Sequence, residues 1–121
     1  MGESVLKTKS FSFAVRIVRL FQFLQSEKKE YVLAKQLLRC GTSVGSMIRE
    51  AEHAESKPDF IHKLAVAQKE INETLYWLEL LSATDYLTTA QLISLQTDAV
   101  ELLKMLTSSI KTAKANSKTN H

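Results

Sequence analysis

The chain has 121 residues, 45% of them hydrophobic and 24% charged, with a formal net charge of +3. That length indicates one domain with a real core. With three glycines, one proline and one cysteine, a turn-rich β fold and a disulfide framework are both excluded.

The opening stretch MGESVLKTKS has no apolar run of the kind a secretory signal requires. Leu6 stands where a myristoylation pattern needs Ser or Thr. No segment approaches the roughly 18 uninterrupted apolar residues of a membrane span. The expectation is a soluble, cytoplasmic protein with a flexible segment over residues 1–8, ahead of a bundle over 9–114.

Helical spacing then predicts four helices. The first covers about 9–25. In FSFAVRIVRLFQFLQ the polar residues Ser12, Arg16, Arg19 and Gln22 recur at helical intervals and nearly everything else is apolar. A surface helix buries an arc of little more than 100°, and this arc is much wider. A bundle of four helices has no deep central position, so the excess predicts burial against a second subunit. SEKKE (26–30) is a charged turn, and the second helix runs over about 31–54. Ser56 followed by Asp59, with Pro58 in the first turn, starts a third helix over about 57–82. Its predicted inner face is Ile61, Leu64, Gln68, Ile71, Leu75 and Leu78. After the turn ATDYL, Thr88 and Gln91 repeat the capping pattern for a fourth helix over about 89–114. That helix carries Leu92, Leu95, Ala99, Leu102, Leu106 and Ile110 on one face. Residues 115–121 lack apolar anchors and are expected to be disordered. The fold class is all-α, an up-down-up-down antiparallel four-helix bundle.

Charge is segregated along the chain. Residues 1–49 carry +6, residues 50–102 carry −7, and residues 103–121 carry four lysines and no acid. On the second helix, Lys35, Arg39, Thr42, Ser46, Arg49 and His53 fall within about 40° of one line. They form a polar, mostly basic stripe about 27 Å long. Leu33, Leu37, Val44, Ile48 and Ala51 lie on the opposite, core side. Ala34, Gly41 and Gly45 form a small-residue strip beside that core, suited to close helix packing. The stripe has two readings. It contacts nucleic-acid phosphates, with Arg16 and Arg19 of the first helix contributing, or it pairs with the acidic half of a neighbouring subunit.

Other chemistry is poorly supported. Gly41-x-x-x-Gly45 is not followed by Lys-Ser/Thr and follows no strand, so it is no phosphate loop. Glu50-x-x-His53 occurs once and its histidine points away from the core, which fails the di-iron pattern. No metal site and no cofactor is expected. Cys40 borders the core as a small filler, and Glu70 and Glu73 read as solvated surface. No active site emerges.

The run GTSVGSMIREAEHAESKPDFIHKLAVAQKEINETLYWLELL, Gly41 to Leu81, resembles the four-helix-bundle proteins first noticed as reading frames in 23S rRNA intervening sequences. The matching segments are Gly-Thr-Ser-Val-Gly, Arg-Glu-Ala, Ala-Glu-Ser-Lys, Asp-Phe-Ile-His-Lys-Leu and Glu-Thr-x-Tyr-Trp-Leu-Glu-Leu-Leu. One departure is Met47, where many relatives carry Asn. The resemblance spans about 11–111. It implies an antiparallel bundle, often assembled as a homopentameric ring, with no enzymatic activity attached. Relatives include the accessory variability protein of diversity-generating retroelements, a basic pentamer associated with nucleic acid and a reverse transcriptase. Arg49, Glu50 and Trp77 match motif positions whose role is structural or functional. The expectation is a non-catalytic homo-oligomer that binds rRNA, other nucleic acid or a nucleoprotein partner such as a reverse transcriptase. The basic residues expected to do so are Arg16, Arg19, Lys35, Arg39, Arg49 and His53.

Overall fold

The computed structural model describes residues 2–119, and the side chains of 5–116. Four helices make up the described chain: α1 (Gly2–Ser26), α2 (Val32–Glu52), α3 (Lys57–Ala83) and α4 (Thr89–Thr119). No strand is present among the described residues. Each helix packs against two others, in the order α1, α2, α3, α4 and back to α1. The pairings across each junction run in opposite directions. Lys63 meets Glu50 while Glu70 meets Arg39 across α2–α3. Lys9 meets Glu101 while Arg16 meets Asp98 across α1–α4. Neighbouring helices are therefore antiparallel.

Local chemistry sets the helix ends. Ser56 adopts extended backbone, and its hydroxyl accepts the Asp59 N–H at 3.2 Å, with Pro58 in the first turn. At the start of α4 the capping is reciprocal. The Gln91 N–H donates to Thr88 Oγ1 at 3.1 Å, and the Thr88 N–H donates to Gln91 Oε1 at 2.8 Å. Two orphan donors are satisfied together. Helix α3 ends with Asp85 in the left-handed region (φ 69°). The Tyr86 N–H bonds the Leu81 carbonyl and the Asp85 N–H bonds that of Ser82. This is the paired closure of a Schellman end, here without glycine.

The core is one continuous cluster. Leu6, Phe13, Ile17, Leu20 and Leu24 enter it from α1, and Leu37, Val44 and Ile48 from α2. Leu64, Ile71, Leu78 and Leu81 come from α3, and Leu95, Ala99, Leu102 and Leu106 from α4. Cys40 is fully buried among them, and burial raises its thiol pKa.

Several expectations need correction. Helix α1 begins at Gly2 rather than near residue 9, because Leu6 reaches the core at 2% exposure and Lys7 pairs with Glu52. Helix α4 continues to Thr119, past the expected limit of 114. Ala113 is buried and carries the inner face beyond Ile110, and a run of Lys, Thr, Ala and Asn contains no breaker. Residues 120–121 of the expected tail lie outside the described residues. The inner face of α3 is Leu64, Ala67, Glu70, Ile71, Thr74, Leu78 and Leu81, about 70° round the helix from the predicted one.

The wide apolar arc of α1 has a plain outcome. The inner residues enter the core, while Phe11 (56% exposed), Val15 (41%) and Val18 (38%) lie on the opposite, outward side.

Candidate nucleic-acid interface

The four-helix arrangement decides where the six basic candidates go. Arg39 leaves α2 toward α3. Its Nη1 bonds Glu70 Oε2 at 3.1 Å, and its Nη2 bonds Glu73 Oε2. Glu73 also accepts the Trp77 indole N–H at 3.2 Å. The Glu73 carboxyl is held below its ordinary pKa, first by the hydrogen bond from Arg39 and then by that from Trp77. The same bond raises the Arg39 pKa. Glu70 and Glu73 are thus no solvated surface. They lie one helical turn apart on α3, where one guanidinium fork reaches both, and the Glu70 side chain is only 11% exposed.

Arg16 points the other way, toward α4. It donates to Asp98 Oδ2 at 2.6 Å, to Ser94 Oγ at 2.9 Å and to the Ser94 carbonyl at 3.3 Å. Arg49 lies 5.4 Å above the ring of Phe11, a cation–π contact to α1. His53 closes α2 as its C-cap, exposed, with its backbone N–H on the Glu50 carbonyl. Arg49 and His53 border a groove of about 690 Å³ that also contains Glu50, Glu55 and Asp59, so its charge is mixed. Arg19 and Lys35 are exposed and form no ion pair among the described residues. Arg19 edges a groove of about 610 Å³ between α1 and α4, with Val15, Phe23 and Ser94.

The predicted line on α2 therefore splits. Arg39 turns to α3 and Arg49 to α1, because long side chains reach whichever neighbour offers a partner. Four of the helix-one and helix-two cations, Lys7, Lys9, Arg16 and Arg39, find acids between Glu52 and Glu101 of their own chain. Much of the sequence-level charge segregation is neutralised inside one subunit. The partners Glu70, Glu73 and Asp98 were missed from sequence. The one available signal was that the acids of residues 50–102 complement the bases of 1–49.

Gly41 and Gly45 of the small-residue strip face α1. A Cβ on Gly41 would lie 2.8 Å from both Cγ atoms of Ile17, whereas one on Gly45 would meet Ser10 at an ordinary 3.5 Å. Ala34 is fully buried. Met47, the departure from the resembled motif, packs partly buried against the core. No group of three or more His, Cys, Asp or Glu among the described residues is placed to hold a metal ion. No helix among them is long and apolar enough to cross a membrane.

Fold and surface together define a small helical bundle with an ion-paired exterior. The family model for the 23S rRNA-intervening sequence protein matches residues 3–108, and the chain belongs to that family. It is similar to a protein of unknown function from the S23 ribosomal protein family of Bacteroides thetaiotaomicron VPI-5482, known from a 1.70 Å crystal structure. The two are 56% identical, with a TM-score of 0.91 over 92% of this chain and 99% of the other. No curated protein matches the chain.

Proposed function

We propose that the protein is a non-catalytic, self-assembling helical bundle that presents a basic surface to RNA or a nucleoprotein partner, with a homopentameric ring as its assembled form. The observation that carries the self-assembly is the outward strip of α1. Phe11, Val15 and Val18 recur at helical spacing on the side away from the core, each more than a third exposed. Covering the third to half of each that is still exposed is worth on the order of 1 kcal/mol per side chain, and a second copy is the partner every solution of the protein supplies.

Light scattering on the chromatographed protein tests this. The expected mass is a multiple of 13.7 kDa, fivefold for the ring. Phe11→Glu with Val15→Glu is expected to return it to the monomer with unchanged helical circular dichroism. A wild-type protein that is monomeric at every concentration tested refutes the assembly.

The nucleic-acid part is supported by Arg19 and Lys35, exposed cations that form no ion pair among the described residues. The alternative, a basic stripe that pairs with the acidic half of a neighbouring subunit, is weakened because Arg16 and Arg39 already hold such acids internally.

A further inference from the structure

The outward edge of α4 changes character along its length. Its first half exposes Ile93 and Val100. After Glu101, which is taken by Lys9, the chain contains no further acid. Lys104, Lys111 and Lys114 follow, all exposed and none in an ion pair among the described residues. At 100° per residue Lys104 and Lys111 share one line, and Lys114 lies within about 80° of it. The three span about 15 Å of helix axis. Ser108 is exposed beside Lys104 and Lys111 on this line, and its hydroxyl makes no hydrogen bond among the described residues. No large apolar side chain is exposed between Lys104 and Lys114.

The acids of the adjoining end of the bundle are largely occupied. Glu52 pairs with Lys7 and Glu50 with Lys63, and Asp59 accepts the Glu55 N–H at the start of α3. Glu55 is the exception, exposed and without an ion pair. Among the described residues, the surface from Lys104 to Lys114 thus offers ammonium and hydroxyl donors and carries no carboxylate of its own. That is the chemistry of a phosphate-backbone contact, and three lysines spread over about 15 Å can each meet a separate phosphate of one strand. A membrane surface fits less well, because an interfacial helix needs exposed apolar side chains among its lysines.

We infer that the far half of α4, through Lys104, Lys111 and Lys114, is an RNA phosphate-binding edge separate from the basic residues of α1 and α2. The inference rests on the RNA reading above but assigns it to a different helix. A purely structural role is the rival, since cations near a helix C-terminus offset its dipole.

The experiment measures binding of a fluorescein-labelled RNA hairpin across a salt series. It compares the wild type, the triple variant Lys104→Gln, Lys111→Gln, Lys114→Gln, the matching triple Lys→Arg variant, and Arg19→Gln with Lys35→Gln. Gln keeps the helix propensity close to that of Lys. The Gln triple is expected to lower the slope of log K against log salt by about two to three, at 0.7–0.9 per phosphate contact. The Arg triple is expected to keep it, and light-scattering mass and helical circular dichroism should not change. An unchanged slope in the Gln triple, with loss in the Arg19/Lys35 variant, overturns the α4 assignment and leaves the RNA reading standing. No wild-type binding at low salt overturns both. A change of oligomer mass instead of slope, or binding only to anionic vesicles, overturns the RNA assignment of this edge.

Discussion

Arg39 and Lys111 are both exposed cations on the outside of a helix, and the fold treats them in opposite ways. The α2–α3 junction places Arg39 against two carboxylates and through Glu73 links it to Trp77. The far half of α4 leaves Lys111 in no ion pair among the described residues. Net charge on a segment is therefore a poor guide to its availability. A base is available to a partner only where the bundle's own topology has not already brought it an acid. That separates the residues holding the subunit together from those free to meet something else.

The sharpest way to break the contrast is Arg39→Glu, which sets a third carboxylate against the nearly buried Glu70. Leaving that carboxylate without its partner costs about 1–3 kcal/mol, whereas Lys111→Gln, on an open surface, is expected to stay within about 0.5 kcal/mol. Chemical denaturation of the two variants checks this, and equal midpoints would erase the distinction. Arg39→Glu is also a poor probe of RNA binding, because it damages the fold first.

Next in size is Gly41→Ala. Its Cβ would collide with the branched, fully buried Ile17. The overpacking cost of about 1–3 kcal/mol exceeds the roughly 1 kcal/mol gained in helix propensity. Gly45→Ala meets only ordinary contacts and is expected to stabilise by up to about 1 kcal/mol. Thermal melts of opposite sign for the two variants are the expected outcome.

The smallest effect is the acid response of Glu73. Its folded pKa is lowered, so its contribution is complete above the ordinary carboxylate range and is lost as pH falls through the lowered value. The Glu73 side chain is 30% exposed, so solvent screening holds the effect to about 0.5–1 kcal/mol. Glu73→Gln is expected to lower stability at neutral pH by that amount and to flatten the acid limb of a stability–pH curve.

The four helices, their order and two of their caps were legible because each depends on neighbours in sequence. Ser56 with Asp59 and Thr88 with Gln91 are such pairs. The inner face of α4 was read nearly residue for residue, because large aliphatics mark it. On α3 the reading slipped round the helix. Ile61 and Leu75 flank the core and drew the predicted face toward them, while Ala67 and Thr74 fill the crossing with little hydrophobic signal. The Arg39–Glu70–Glu73 cluster was illegible for a different reason: the acids and their base are about thirty residues apart and meet only through the α2–α3 register. Gly41 and Gly45 looked equivalent on a helical wheel, and only the atoms of α1 beneath them separate the two.

The first and last helices meet across a junction held at its surface by Lys9–Glu101 and Arg16–Asp98. Two grooves lie along it, one of about 480 Å³ beside Val5 and Phe13 and one of about 610 Å³ beside Val15 and Phe23. Exposed ion pairs of this kind weaken as ionic strength rises. Salt is therefore expected to loosen amide protection along α1 and α4 more than along α2–α3, where Glu70 is only 11% exposed. The subunit would breathe like a book opened along one margin, with its spine on the side of the resembled motif.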